Sequence, residues 1–188
     1  MQSQKHGTLE PILTVLGQHV LTVHRNELQY NHLKENLYVK DDLGNRNLLK
    51  YDVNLDDYKK IANDFNKIGE AAKKHGIRFA YHNHGYGFSP IEGQIPFELI
   101  LKQTDPNLVF LQMDLFWTVA GGADPIKLIT ENKGRYKLMH VKDMKSQARF
   151  SGDGGNVQQW MALFGEMTNV GEGVLDLKKI LAAAKANG

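Results

Sequence analysis

The pair of histidines His82 and His84 is the first place along the chain where the residue types could do chemistry. The pair closes the apolar stretch 77–81. On a strand, residues two apart point to the same face, so both rings could converge on one point. Neutral imidazole is a common ligand for Zn, Mn, Co or Fe and a common acid–base group. A solvated pair of surface histidines has the same sequence pattern, and both interpretations stay open.

Three further polar residues lie at or near the ends of apolar stretches. Asp114 follows Val109–Met113, and burying a carboxylate is costly unless it is paired or bound to a cation. We therefore favour a ligand over an aspartate that only accepts loop N–H groups. His140 and Lys142 share one face in a period of two, which indicates a polar pocket. Trp117 could pack in the core or stack on the face of a sugar.

The sequence predicts alternating helices and strands that would bring these residues together. Strand starts recur about every 30 residues, which is the length of a βαβ unit. Nearly continuous apolar strands between helices are typical of a parallel sheet covered on both faces. The polar residues, Asp143 among them, fall at the carboxyl ends of these strands, where such folds carry their active sites. The predicted strands are 18–23, 77–84, 108–115 and 136–141, and the predicted helices are 9–16, 55–75, 96–104, 125–132 and 174–186.

The clearest helix is 55–75, whose apolar residues repeat along one face. Asn54 is placed to cap its start and Gly76 to end it. Two polar segments, 27–53 and 146–156, show no clear periodicity and are predicted to be long loops.

Composition excludes several classes of protein. The 188 residues suit one domain, and a net charge of +2 offers no basic excess for nucleic acid. No run of 18 apolar residues predicts a membrane span, and no signal-peptide pattern is visible, so a cytoplasmic chain is expected. With no cysteine, disulfides and thiolate metal sites are excluded, and any metal must use His, Asp or Glu. No G-x-G-x-x-G follows a strand and no P-loop is present, which disfavours a nucleotide-binding sheet.

Four motifs resemble one family. In order and spacing, the motifs are similar to those of the xylose-isomerase-like TIM barrel proteins, commonly described as sugar phosphate isomerases/epimerases. The resemblance runs from about Asp52 to Gly188. The motifs are Y-H-N-H-G-Y-G-F at 81–88, Q-M-D-L-F-W at 112–117, H-V-K-D-M at 140–144 and G-E-G-V-L-D at 171–176.

The resemblance implies a (β/α)₈ barrel with one divalent metal ion, Mn, Co, Mg or Zn, at its carboxyl-terminal mouth. Asp114 and His140 match two of the family's usual ligands, while His82 stands where many relatives have a Glu. Gly87 replaces a Glu of the related subgroup, which removes one carboxylate. The predicted metal ligands are therefore His82, Asp114 and His140. The family's acid–base role usually falls to ligand carboxylates that this chain lacks, which leaves His84 and Lys142 as the predicted catalytic contacts. The predicted substrate contacts are Asn83, Trp117 and Glu172.

A full barrel takes about 250 residues. Only one strand is predicted before Leu55, and no strand follows the last helix. We therefore expect residues 1–188 to form a single partial barrel domain that lacks the first strands and the eighth strand. Open strand edges and apolar patches would then favour pairing with a second copy.

The leading functional hypothesis is a metal-dependent isomerase or epimerase that acts on a sugar or sugar phosphate through an enediolate. One alternative is a lyase or dehydratase of the same superfamily, acting on an inositol-derived or keto sugar. A truncated or degenerate barrel that binds a sugar without converting it is another. A metal phosphodiesterase of the endonuclease IV type is disfavoured, because it needs three metals and more ligands than the chain offers.

Overall fold

The computed structural model describes residues 20–24, 38–40, 46–48, 54–152 and 157–188. The strands are β1 (Val20–His24), β2 (Tyr38–Lys40), β3 (Arg46–Leu48), β4 (Arg78–His82), β5 (Val109–Asp114), β6 (Tyr136–His140), β7 (Asp143–Met144) and β8 (Met167–Thr168). The helices are α1 (Leu55–Lys74), α2 (Pro96–Gln103), α3 (Leu115–Ala120), α4 (Pro125–Glu131), α5 (Val157–Phe164) and α6 (Leu177–Asn187), with a 3₁₀ turn at Gly85–Phe88.

The central element is a parallel sheet of four strands in the order β1-β4-β5-β6. Its register places His82 beside Gln112 and Asp114 beside His140, so the polar strand ends meet at one edge. Among the described strands, β1 and β6 each pair on one side only in this sheet. These strands and their helices form part of a TIM barrel, as predicted.

Helix α1 covers the outer face of β4. Asn54 caps its start, as predicted, and forms a capping box with Asp57. The Phe65 ring lies 5.3 Å from that of Phe79 and 4.8 Å from that of Tyr81, between centroids. Because strand side chains alternate, this packing directs His82 to the opposite face of β4, toward the barrel interior.

The side chains of strand β5 also alternate between the two faces of the sheet. Val109, Leu111 and Met113 are buried in the main core, which leaves Gln112 and Asp114 on the inner face. At the base of the sheet, the Arg135 guanidinium donates to the carbonyls of Leu101 and Val109 and so ties α2 to β5.

The structure corrects three local predictions. The last helix begins at Leu177, not at Val174, because the Asp176 carboxylate accepts from the backbone N–H of Lys179 and caps the helix there. The segment 27–53 is not only loop, since β2 and β3 pair antiparallel within it. Helices α3 and α5 were not predicted; α3 begins directly after β5, and α5 begins directly after the Gly-rich segment. The predicted helix 9–16 lies outside the described residues.

Large apolar side chains are exposed, as predicted for a partial barrel. The exposed side chains lie on α5, α6 and the segment between them: Met161, Phe164, Val170, Val174 and Leu181. Pairing with a second copy remains a prediction. In the part of the chain that the structure describes, no helix is both long enough and apolar enough to cross a bilayer.

Candidate metal centre

Three predicted ligands meet at the carboxyl-terminal edge of the sheet. His82, Asp114 and His140 end β4, β5 and β6, and one donor atom from each lies within 4.8 Å of the other two. His82 Nε2 and His140 Nδ1 each lie 3.2 Å from Asp114 Oδ2. The predicted convergence of the three side chains is therefore observed.

The spacing of these atoms suits one shared cation. Two ligands at metal bonds of about 2.1 Å, separated by angles between octahedral and tetrahedral, lie about 3.0–3.4 Å apart. Both measured separations fall in this range. The Asp114 side chain is 0% exposed, and a buried carboxylate requires positive charge close by. The site therefore fits a divalent ion bound by two imidazoles and one carboxylate.

Lys142 contacts the same carboxylate oxygen. Its Nζ lies 2.8 Å from Asp114 Oδ2, and its side chain is 24% exposed. Burial alone would raise the pKa of Asp114, but the close contacts with His82 and Lys142 and the charge of Lys142 outweigh this and lower it. Oδ1 accepts from the backbone N–H of Trp117 at 3.1 Å, which anchors the carboxylate to the start of α3. Asp114 is thus ionised at neutral pH, with Oδ2 facing the cluster.

The half-exposed ring of His140 is held in the neutral form that binds metals. Burial lowers its pKa, the charge of Asp114 raises it, and Lys142 and His82 lower it again, with a net decrease from the ordinary value. The ring is therefore neutral at neutral pH, with a lone pair for a cation.

The Asn83 side chain connects the elements that carry the site. Its Nδ2 donates to Thr118 Oγ1 at 3.0 Å, and its Oδ1 accepts from the backbone N–H of Asp114 at 3.2 Å. Asn83 is 2% exposed. The amide therefore connects the end of β4 to the end of β5 through Oδ1 and to α3 through Nδ2. Its contact with substrate stays a prediction.

An aromatic cluster stands beside the three ligands. The His84 ring centroid lies 5.2 Å from that of His82 and 4.8 Å from that of Trp160. Trp117 is 2% exposed, and one of its faces is stacked on Phe150 at 5.8 Å. This face of Trp117 is covered by protein. The predicted stacking on a sugar could therefore involve only the other face of the ring. Phe150 and Trp160, from the loop and α5, were not singled out in the sequence.

Glu172 lies in the exposed turn before α6, where it accepts a hydrogen bond from Asn169 Nδ2 at 2.9 Å. The structure places it in a local contact and not among the three convergent donors. Its predicted role in binding substrate stays a prediction.

Asp143 organises that same turn. Its carboxylate accepts backbone N–H groups from Met144, Gly171, Gly173 and Leu175 at 2.8–3.2 Å. Burial raises the pKa of Asp143, but these four bonds outweigh it and lower the pKa. A Cβ on Gly173 would collide with this carboxylate, which explains the glycine. Asp143 therefore shapes the backbone, although the sequence placed it among the strand-end polar residues.

Comparison with known proteins agrees with this fold. Residues 14–188 match the model of the family described as xylose isomerase-like TIM barrel, and the chain belongs to this family. The resemblance found in the motifs is confirmed.

The named relatives extend well beyond this chain. The inosose dehydratase of Clostridium botulinum (strain Alaska E43 / Type E3) is 31% identical over 99 residues, 52% of this chain and 32% of the relative. That of Clostridium beijerinckii is 27% identical over 140 residues, 73% of this chain and 46% of the relative. The chain thus spans about a third to a half of the length of the curated relatives it matches.

Solved structures agree on the architecture. A sugar phosphate isomerase/epimerase from Parabacteroides distasonis aligns with a TM-score of 0.54 and 29% identity, over 72% of this chain and 44% of that one. A xylose isomerase domain protein from Planctomyces limnophilus aligns with a TM-score of 0.50 and 17% identity, over 70% and 43%, and shows the fold alone.

Proposed function

We propose that the chain carries the metal centre of a dehydratase that removes water from a cyclic polyhydroxy ketone of the inosose type. The observation that carries the proposal is the buried Asp114, whose Oδ2 faces two imidazoles and the Lys142 ammonium at one sheet edge. The names of the dehydratase relatives support the choice of reaction.

The three ligand atoms favour some of the predicted metals over others. Two imidazole nitrogens and one carboxylate favour Zn or Co over Mg, which prefers oxygen ligands. When bound, a divalent ion would polarise the substrate carbonyl and so acidify the neighbouring C–H bond. His82, Asp114 and His140 would hold the ion.

Lys142 and His84 are the groups of the chain that would move protons. In this scheme a ring nitrogen of His84 takes the proton from the carbon beside the carbonyl. The electron pair forms a carbon–carbon double bond, and the C–O bond to the next hydroxyl breaks. Lys142 Nζ gives its proton to that leaving oxygen, which departs as water. Its contact with Asp114 holds the ammonium at the carboxyl end of the sheet.

Isomerisation or epimerisation of a sugar is the second candidate, favoured by the similarity to the Parabacteroides distasonis isomerase/epimerase. The first proton transfer is common to both reactions. The reactions differ afterwards, because an isomerase returns a proton to carbon while a dehydratase expels the hydroxyl. A barrel that binds without converting its ligand is an outcome of the test below. The single-domain organisation and the cytoplasmic location remain predictions.

The test compares Asp114→Asn with Lys142→Met in the polypeptide as its gene encodes it. Metal content is measured by elemental analysis, and loss of water or uptake of deuterium from D₂O is followed by NMR on inososes, aldoses and ketoses. Asp114→Asn should lose metal and turnover together. Lys142→Met should keep the metal and lower kcat/KM about ten- to a hundredfold, for about 1.5–3 kcal/mol. Lys102→Met, on the exposed part of α2, is the control.

Three results would contradict the proposal. Metal retained by Asp114→Asn but lost from Lys142→Met would reverse the assigned roles. Deuterium uptake without loss of water would favour the isomerase. A metal-loaded protein that converts none of these compounds would support the binding protein.

A further inference from the structure

Gln112 lies directly beside His82 in the parallel sheet. The register of β4 and β5 pairs the two residues directly. Gln112 also precedes Asp114 by two positions, so both point to the inner face of β5. The His82 ring therefore faces two successive inward side chains of the neighbouring strand.

Each nitrogen of the His82 ring contacts one of these side chains. Nδ1 lies 2.8 Å from the Gln112 amide oxygen, and Nε2 lies 3.2 Å from Asp114 Oδ2. The ring is 2% exposed, so it has little room to turn. These two contacts fix its orientation in the sheet.

The contact with Gln112 decides which nitrogen carries the hydrogen. With the Gln112 amide oxygen facing the ring, as the structure places it, Nδ1 is the donor, because an amide oxygen can only accept. In the neutral ring Nε2 then presents a lone pair toward the Asp114 carboxylate. Two acceptor atoms at 3.2 Å repel each other, and a cation between them removes the repulsion. The reverse amide orientation would put the hydrogen on Nε2, where it would donate to Asp114 and occupy the cation's place.

We propose that Gln112 is a positioning residue that keeps the hydrogen of His82 on Nδ1 and thereby presents Nε2 to a divalent cation. The proposal rests on the metal centre of the proposed function and adds to it a residue outside the ligand set. Polar partners of this kind orient histidine ligands in metal sites generally, and their loss costs about 10- to 100-fold in metal affinity.

The experiment uses Gln112→Met, which removes the acceptor at similar size, and Gln112→Glu, which keeps an acceptor oxygen. Gln103→Met, at the exposed end of α2, is the matched control. Zn²⁺ affinity is measured by competition with a chromophoric chelator. The Co²⁺-loaded proteins are compared by proton NMR, in which the ring N–H of a Co²⁺-bound histidine is strongly shifted. Because the ring is buried, the His82 N–H should exchange slowly with water.

The proposal expects Gln112→Met to weaken Zn²⁺ binding about 10- to 100-fold and to lose the slowly exchanging signal. Gln112→Glu should keep both properties, and Gln103→Met should match the unaltered protein. Equal affinity and an unchanged signal in Gln112→Met would overturn the proposal, as would a loss in Gln112→Glu equal to that in Gln112→Met. An unaltered protein that binds neither ion overturns the metal centre and this proposal together. One that binds both ions but converts no hydroxyketone overturns only the proposed function.

Discussion

Replacing Asp143 by Asn changes the acceptor that four backbone N–H groups share. Oδ1 accepts from Met144 and Leu175, and Oδ2 accepts from Gly171 and Gly173. An asparagine keeps one oxygen, and its NH₂ group must face the other pair of donors. Two hydrogen bonds to a charged acceptor are therefore lost, and two backbone N–H groups face the NH₂ group of the asparagine, which is itself a donor.

The expected loss of stability follows from the number of hydrogen bonds lost. Each hydrogen bond to a charged group is worth about 1.5–3 kcal/mol. Water can replace part of the loss at Gly171, which is exposed, so we expect a decrease in unfolding free energy of about 2–4 kcal/mol. For a chain of this size, each kcal/mol lowers Tm by about 2–4 °C, which gives a decrease of about 4–16 °C.

The effect should depend on pH in a defined direction. The pKa of Asp143 is lowered in the folded chain, so its contribution to stability is present above the unfolded pKa of about 3.9. The contribution is lost as pH falls through the lower, folded pKa. The difference in unfolding free energy between wild type and Asp143→Asn should therefore be constant near neutrality and shrink below about pH 4.

Thermal and urea unfolding followed by circular dichroism measure this difference. Asp176→Asn is the control, because asparagine caps a helix about as well as aspartate and the Asp176 side chain is exposed. A Tm within about 2 °C of wild type would refute the structural role of Asp143. So would a difference in stability that stays the same from neutral pH to about pH 3.

Two further predictions concern the cation and the packing of α1. Zn²⁺ at about a hundred times its Kd should stabilise the chain by about 2.7 kcal/mol and raise Tm by about 5–11 °C, whereas Asp114→Asn should show no such rise in the same melting assay. Gly69→Ala should lower the unfolding free energy by about 1–3 kcal/mol, because its Cβ would collide with the Leu108 carbonyl. Gly165→Ala has open space around it and should change stability by less than about 0.5 kcal/mol, and equal effects of the two substitutions would contradict the packing argument.

Helices were predictable where periodicity and caps agreed. Helix α1 has both a regular apolar face and the Asn54 cap, and its bounds fall where expected. The last helix shows the limit, because Val174 continues the apolar pattern while its backbone N–H donates to the Met144 carbonyl outside the helix. Strands β7 and β8 have two residues each and carry no periodic signal.

The site was predictable in outline for a simple reason. Parallel strands end at one edge, so polar residues that end such strands meet without any knowledge of register. What each residue does there depends on contacts that local pattern cannot show. Asp143 follows β6 much as Asp114 ends β5, yet its carboxylate faces the backbone of a distant turn. Gln112 carries no titratable group, and only the register with β4 reveals its contact with His82.

The charges of the cluster bear on the first proton transfer, which both candidate reactions share. The negative charge of Asp114 is balanced by Lys142, and both ligand imidazoles can bind a cation while neutral. With a divalent ion bound, the cluster would carry net positive charge, unlike a site built from several carboxylates. Positive charge stabilises the negative oxygen that develops when a proton leaves the carbon beside a carbonyl, and it does so more than it stabilises the neutral ketone. The loss of Lys142 should therefore lower kcat more than it raises KM, since an interaction that strengthens only in the transition state acts on turnover and not on binding.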